Sequence, residues 1–172
     1  MKYLDALIIG AGFSGLYQLH CLRDKLKLNT LVVEEGKDIG GTWYWNTYPG
    51  ARCDSESFTY GFTFSEKIFK NWTWKERYPK QNVILKYLKY FSNELKLKKN
   101  IVFKEKVISA KYIEKNNLWK VQTNNKKKYY TKYLICAVGS LSSINLPKIK
   151  GINQFRGQLH HSGRWPKKKI NY

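Results

Sequence analysis

A glycine pattern near the start of the chain constrains the fold more than any other feature of the sequence. The apolar run Tyr3–Ile9 leads directly into Gly10-Ala11-Gly12-Phe13-Ser14-Gly15. A helical stretch follows, and its leucines are predicted to share one face: Leu16, Leu19, Leu22 and Leu26. A second apolar run, Leu31–Val33, ends at Glu34. Strand, turn, helix and strand in this order predict a β-α-β unit with parallel strands and a right-handed crossover.

The three glycines of this turn suit a dinucleotide. Gly10 allows the tight turn, Gly12 lets backbone N–H groups approach a pyrophosphate, and Gly15 lets the helix pack closely on the strand. The helix N-terminus adds positive potential. Glu34 follows about 20 residues on, where a carboxylate accepts hydrogen bonds from ribose hydroxyls and repels a 2′-phosphate. These residues predict a site for FAD or NAD rather than NADP, and no pattern in the sequence indicates a metal site.

A second glycine pair lies just beyond that strand, in Gly40-Gly41-Thr42-Trp43. A pair at this position suits an extended pyrophosphate with a bulky flavin beyond it. Taken alone, the pair is more often a glycine-rich turn packed by Trp43 and Trp45.

The remainder of the chain predicts one long helix and a set of strands. Residues 36–79 show no sustained period, and a loop of that length is uncommon unless it is functional. Residues 82–96 have the apolar spacing of a helix. Three strand-like runs follow: Ile101–Phe103 continuing through Val107–Ile113, Leu118–Thr123, and Tyr129–Val138. We therefore predict an α/β, Rossmann-like domain whose parallel sheet, regained at Tyr133–Val138, contains an inserted antiparallel β-meander.

The charge of the chain is strongly basic and unevenly distributed. The formal net charge is +20, from 32 Lys and Arg against 12 Asp and Glu, and most of the surplus lies beyond residue 60. Lysine dominates, whereas surfaces that bind nucleic acid favour arginine for bidentate contacts with phosphate. The lysines also fall at predicted strand ends and turns. This distribution favours a solvated surface and makes nucleic acid the less expected partner, with a polyanion binder as the alternative.

Cysteine usage and the length of the apolar runs bear on location. The chain has three widely spaced cysteines, and nothing in their number or spacing requires them to pair. The apolar runs fall short of the roughly 20 residues that span a bilayer. Asp5 interrupts the first apolar run, unlike in a secretory signal. We therefore expect a cytoplasmic protein without a membrane segment.

Longer motifs resemble one enzyme family. The run Gly40–Asn46 and its continuation Tyr48–Asp54, together with Gly10–Gly15 and Glu34, resemble the FAD domain of Baeyer–Villiger monooxygenases, within the flavin-containing monooxygenase superfamily. Near the end of the chain, Phe155-x-Gly157-x-x-x-His161-x-x-x-Trp165-Pro166 has every fixed position of that family's fingerprint. The resemblance covers essentially the whole chain.

The resemblance implies the residues that hold the cofactor. Gly10, Gly12, Gly15 and Glu34 would hold the ADP half of FAD. Further contacts are implied at Ser14, Gly41, Thr42, Trp43, Trp45, Asp54, Tyr60, Val107, Ala137 and Gly139. The chain departs from the family at Val138, where Thr or Ser is more usual, and at Thr47, where Arg is usual.

Asp54 carries the catalytic expectation. In the family the matching acid sits beside the flavin and orients a catalytic arginine, and a buried carboxylate needs such a partner. The alternative is an aspartate that caps a turn before Ser55.

The fingerprint residues Phe155, Gly157, His161 and Trp165 resemble linker elements that couple domain movement to catalysis. The expected division is an FAD-binding domain over residues 1–150 and the start of a linker over 151–172.

The family uses FAD, NADPH and O2 to convert ketones into esters or lactones, but this chain has no second G-x-G-x-x-G for NADPH. The family's catalytic arginine also lies outside the matched segment. We therefore expect an N-terminal piece that is inactive alone or is completed by a second chain. An N- or S-oxygenating relative is the alternative.

Overall fold

The computed structural model describes residues 2–166, 168 and 170, and these residues contain six strands and four α-helices. The strands are β1 (Lys2–Ile9), β2 (Thr30–Val33), β3 (Ile101–Val102), β4 (Val107–Ile113), β5 (Leu118–Thr123) and β6 (Lys128–Cys136). The helices are α1 (Phe13–Leu19), α2 (Thr42–Trp45), α3 (Glu66–Lys70) and α4 (Gln81–Glu94). A π-helical turn, His20–Lys25, continues α1. None of the helices in the described residues is long and apolar enough to cross a lipid bilayer.

All six strands belong to one sheet in the order β3-β2-β1-β6-β5-β4. The first four are parallel, whereas β4, β5 and β6 form an antiparallel meander. Strand β6 joins the two parts, because it pairs in parallel with β1 and antiparallel with β5. The predicted fold class, a parallel sheet with an inserted meander, is confirmed.

Two apolar clusters form the core, one on each face of the parallel sheet. Helices α1 and α4 cover one face of the parallel sheet, where Leu16 and Phe91 pack with Ile8 and Val32. The meander covers the other face. There its inward residues Val121 and Tyr129 pack with Leu4 and Leu7 of β1 and with Leu31 and Val33 of β2. The sheet is therefore buried on both faces, which accounts for the unbroken apolar runs of β1 and β2.

The prediction that residues 101–113 form one run of strand is wrong. Ile101 and Val102 pair with β2, whereas Val107–Ile113 pair with β5 at the opposite end of the strand order. The chain turns between them, with Lys104 at a φ of +58°. The physical cause is Glu105, whose buried carboxylate is held by side chains of the meander and cannot occupy a position in an apolar strand.

The predicted placement of Leu26 on the buried helix face is also wrong. Leu16 and Leu19 are fully buried, but Leu26 is 63% exposed. The amide of Leu26 donates to the carbonyl of Cys21 at 3.0 Å, five residues back. The wider π turn shifts the last residues of the helix out of the α-helical register, so a leucine spaced for an α-helix no longer faces the core.

Two other predicted segments agree with the structure. Helix α4 lies within two residues of its predicted bounds at either end. Residues 36–79 contain only short helical segments, among them α2, α3 and the single turn Ser57–Thr59.

Candidate nucleotide-binding site

The glycine turn after β1 is built by contacts that exclude a Cβ atom. Gly10 has a φ of +100°, and a Cβ there would lie 2.6 Å from the carbonyl oxygen of Ala137. A Cβ on Gly15 would lie 1.9 Å from the carbonyl oxygen of Gly10. Both distances are far inside van der Waals contact. Glycine at position 10 therefore lets the turn pack on Ala137, and glycine at position 15 lets helix α1 pack on the turn.

The second glycine pair lies against the first turn, although about 30 residues separate them. Gly40 donates its amide to the carbonyl of Ala11 at 2.9 Å. Gly41 has a φ of +52°, and a Cβ there would lie 2.8 Å from the Cα of Gly12. A Cβ on Gly12, by contrast, would meet only atoms of Gly41, the nearest at 3.4 Å. Gly12 therefore lies in van der Waals contact with the backbone of Gly41, at the position where the sequence predicts the approach of a pyrophosphate.

Glu34 turns its carboxylate toward this glycine turn. The residue is only 4% exposed, and its Oε2 accepts a 2.7 Å hydrogen bond from the amide of Ala11. Its Oε1 accepts a 2.7 Å hydrogen bond from the amide of Gly36. Each oxygen retains a second lone pair. The carboxylate is thus fixed at the glycine turn with acceptor capacity left for the hydroxyls of a ribose.

Glu105 is hydrogen-bonded to the backbone of Glu34, and the sequence analysis did not single it out. Its amide donates to the carbonyl of Glu34 at 2.9 Å. Its carboxylate accepts hydrogen bonds from Lys127 Nζ at 2.7 Å, Thr123 Oγ1 at 2.8 Å and Tyr129 OH at 3.0 Å. Burial opposes the charge, but these hydrogen bonds outweigh it and lower the pKa of Glu105. Burial, together with Glu105, raises the pKa of Tyr129 to about 12. No motif in the sequence includes Glu105. Only the fold shows that it links Glu34, at the end of β2, to Thr123 and Tyr129 of the meander.

Trp43 and Tyr60 form a second group of predicted residues next to the glycine segments. Trp43 is buried and donates its Nε1 proton to Tyr60 OH at 3.1 Å. Gln81, another residue that the sequence did not single out, donates from Nε2 to the carbonyl of Trp43. Burial raises the pKa of Tyr60, and the negative charge of Asp54 adds to the increase against the opposing hydrogen bond from Trp43.

Asp54 is exposed rather than buried. Its exposure gives no support to the argument that burial requires an arginine partner, and the proposed orienting role of Asp54 stays a prediction.

The remaining predicted contacts divide into two groups. Ala137 lies at the turn, donates its amide to Ile9 O at 2.9 Å, and would touch a Cβ on Gly15. Val107 is half-buried at the start of β4, two residues after Glu105. Four other predicted contacts are more accessible to solvent. Ser14 and Trp45 are exposed and Thr42 is half-buried. Gly139 has a φ of +75°, and a Cβ there would meet no atom within 4 Å.

Comparison with known proteins identifies the family. The model of the flavin-binding monooxygenase-like family matches residues 5–170. The chain belongs to this family.

Relatives and solved structures agree with that assignment. A Baeyer–Villiger monooxygenase of Pseudooceanicola batsensis is 43% identical over 94% of this chain and 30% of its own length. A phenazine N-monooxygenase of Lysobacter antibioticus is 41% identical over 95% of this chain and 30% of its own length. A crystal structure of cyclohexanone monooxygenase from Rhodococcus sp. Phi1 bound to NADP+ superimposes with a TM-score of 0.91 at 40% identity, covering 98% of this chain and 32% of that one.

A further solved structure, OTEMO in complex with FAD and NADP, superimposes with a TM-score of 0.87 at 40% identity. It covers 95% of this chain and 30% of that one. The chain thus spans about 30% of the length of the curated relatives reported above.

The fingerprint of this flavin-binding monooxygenase-like chain lies outside the glycine site. Phe155 is 60% exposed, and Gly157 lies under its ring. His161 accepts a 3.0 Å hydrogen bond from the amide of Gly163 on Nδ1, and Trp165 packs on His160 with ring centroids 5.6 Å apart. Between residues 2 and 166, no hydrogen bond or ring contact joins these four fingerprint residues to the glycine turn. The structure does not bring the two motifs together.

Proposed function

We propose that this chain forms the FAD-binding part of an NADPH- and O2-dependent flavoprotein monooxygenase that inserts oxygen into ketones and produces esters or lactones. The observation that carries the proposal is the approach of Gly12 and Gly41, backbone to backbone, beside the buried carboxylate of Glu34. The relatives support the reaction class, because Baeyer–Villiger and cyclohexanone monooxygenases share this whole segment.

The residues present fit the ADP half of FAD. Gly12 is the residue at which α1 begins, where backbone amides and the helix N-terminus favour an anion such as a pyrophosphate. Glu34 would accept hydrogen bonds from the ribose hydroxyls, and its negative charge disfavours a 2′-phosphate. FAD, when bound, supplies the redox and oxygen chemistry, while the protein supplies position and electrostatics.

The flavin end of the site would lie toward Trp43 and Tyr60. Trp43 is fixed by Tyr60 and Gln81, so its indole can act as a rigid wall that excludes water. Asp54 is exposed, so it is accessible to a cation supplied from outside this segment. In this proposal Asp54 orients that cation rather than transferring a proton to substrate.

The chain alone is proposed to bind FAD without turnover. It contains one G-x-G-x-x-G, and the family's catalytic arginine lies outside the matched segment. A second chain completing the enzyme is part of the proposal, as is a cytoplasmic location, since all three cysteines are free thiols that suit a reducing compartment.

The binding claim is tested with the full chain and one glycine variant. The purified chain is mixed with FAD, freed of unbound flavin and examined for the visible flavin spectrum. We expect the wild type to retain flavin and Gly12→Ala to lose it with unchanged circular dichroism, because the added methyl meets Gly41 only at van der Waals distance but hinders the close approach of a pyrophosphate to the backbone. Gly157→Ala is the matched control and should retain flavin. A wild type that retains no flavin after reconstitution would refute the claim.

N-oxygenation is the second candidate, favoured by the 41% identity to a phenazine N-monooxygenase over almost the same segment. Incubating the FAD-loaded chain with NADPH, O2 and either cyclohexanone or phenazine separates the outcomes. The proposal expects neither lactone nor N-oxide. A lactone from this chain alone would contradict the absence of turnover, and an N-oxide would contradict the ketone assignment as well.

A further inference from the structure

The outward face of the meander carries a second set of features, distant from the glycine turn. Residues alternate along each strand, and Val121, Tyr129 and Thr131 point into the core. The opposite set includes a row that crosses four strands, in which Lys111 pairs with Lys120, Lys120 with Tyr130, and Tyr130 with Tyr3. Lys128 and Lys132 flank Tyr130 along β6 on the same face, two residues away on either side. We call Tyr3, Lys111, Lys120, Lys128, Tyr130 and Lys132 the lysine–tyrosine face.

The positive charge of this face is largely uncompensated. Lys111 lies directly opposite Lys120, a cross-strand pairing of like charges that destabilises a sheet. Lys132 pairs with Asp5 at 3.6 Å, whereas Lys111, Lys120 and Lys128 form no ion pair with any described residue. An anion bound across the face would relieve the repulsion between Lys111 and Lys120.

The aromatic part of the face is arranged for stacking. The rings of Tyr3 and Tyr130 are stacked, with centroids 5.3 Å apart and an interplanar angle of 25°. Tyr3 is 61% exposed, so one side of its ring is open to a further aromatic group. A shallow cavity of about 430 Å³ is lined by Tyr3, Asp5, Lys132 and three residues with amide side chains, Asn29, Asn116 and Asn117. Amides of this kind can hydrogen-bond the edge of a base.

We infer that the lysine–tyrosine face binds single-stranded nucleic acid, with phosphates on Lys111, Lys120 and Lys128 and a base stacked on Tyr3. Lysine charge with exposed aromatic rings is the combination that holds single strands, since lysines follow the backbone and every base has a flat face. An acidic peptide or an anionic membrane would satisfy the lysines, but neither has the regular alternation of phosphates and flat bases that suits both the lysines and Tyr3. The structure thus collects on one face lysines that in the sequence appeared scattered at strand ends and turns.

The test measures anisotropy of fluorescent oligouridylate and oligothymidylate of about 15 nucleotides with the full chain over a salt series. Three phosphates neutralised at roughly −0.7 each predict a slope of about −2 in log K against log salt. The double variant K111Q/K120Q should reduce the steepness of that slope to about −0.7. Tyr3→Leu should weaken binding about tenfold while Tyr3→Phe preserves it, because stacking on the ring contributes at that scale.

The matched control is K75Q/K86Q, which removes the same charge from exposed lysines outside the face. Variants are compared only after circular dichroism shows the wild-type fold. The inference holds if K75Q/K86Q keeps the wild-type slope, and equal binding of both oligomers assigns the site to single strands rather than to RNA alone. It is overturned by absent binding at low salt, by an equal loss in K75Q/K86Q, or by equal competition from polyglutamate or phosphatidylserine vesicles.

Discussion

Residues 2–34 and residues 139–166 each carry a motif of the family, yet they are built in opposite ways. In the first segment Leu7, Ile8 and Val32 are completely buried between the helices and the meander. In the second, Leu146 and Leu159 are 58% and 61% exposed, and most hydrogen bonds join near neighbours in sequence. The glycine turn is thus specified by contacts within this chain, whereas the fingerprint is not.

The difference separates two kinds of sequence signal. The G-x-G-x-x-G pattern can be explained by geometry alone, since two of its glycines lie where a Cβ would strike a backbone carbonyl. The fingerprint identifies the family more specifically, but its aromatic residues are held by few contacts in the described residues. The described contacts therefore account for the glycine pattern but not for the fingerprint, whose role in domain coupling stays a prediction.

The largest expected effect compares two glycines that both appear too crowded for a methyl group. A Cβ on Gly15 would lie 1.9 Å from the Gly10 carbonyl, and one on Gly157 would lie 2.5 Å from the ring of Phe155. The backbones of Gly15 and Gly10 cannot move apart without breaking the turn. Gly15→Ala should therefore lower the free energy of unfolding by at least about 3 kcal/mol or prevent folding. The exposed ring of Phe155 can rotate away, so Gly157→Ala should cost less than about 0.5 kcal/mol. Urea unfolding followed by circular dichroism measures both, and equal losses would contradict the comparison.

Leu7 and Leu159 allow the packing of the two regions to be compared by substitution. Leu7→Ala should lower the free energy of unfolding by about 3 kcal/mol, because it removes a fully buried side chain and leaves a cavity. Leu159→Ala should change it by less than about 0.5 kcal/mol, because most of its surface is already exposed. A loss above about 1 kcal/mol for Leu159→Ala would show that the second segment is packed in solution.

Glu105, which donates its amide to the carbonyl of Glu34 in the first region, should make the stability of the chain depend on pH. Glu105→Gln should destabilise the chain by about 2 kcal/mol at neutral pH, since the amide cannot replace the ionic contact with Lys127 and one amide proton faces donor hydroxyls. The folded pKa is lowered below its unfolded value near 4.3, so the contribution of the charge is present above that value and is lost as the pH falls through the folded pKa. Urea unfolding at stepwise pH should show the two proteins converging below about pH 4. A difference that does not vary with pH would contradict an ionised Glu105.

The sequence predicted the parts of the fold that depend on local pattern. The β-α-β unit, helix α4 and the meander follow from apolar periodicity and turn residues. Glu34 contacts the glycine turn, and its predicted role as a ribose ligand stays a prediction. The sequence did not reveal the break at Glu105 or the exposure of Leu26, because the first depends on hydroxyls about 20 residues away and the second on a π turn. The lysine–tyrosine face was equally hidden, since strand pairing rather than sequence distance brings Lys111 and Tyr3 into one row.

The smallest expected difference is in the free energy of local opening, and limited proteolysis can detect it. Local opening of an exposed segment with few buried contacts costs little free energy, and cleavage then follows the population of the open form. Trypsin at low concentration should therefore cut first after Lys148, Lys150 or Arg156, all of them exposed, and leave residues 2–136 intact. The lysines of the meander are equally exposed but lie in or beside paired strands, so they should be cut later despite their number. Mass spectrometry of the first fragments decides the order. First cuts in the meander would place its stability below that of the segment around the fingerprint and would reverse the contrast between the two regions.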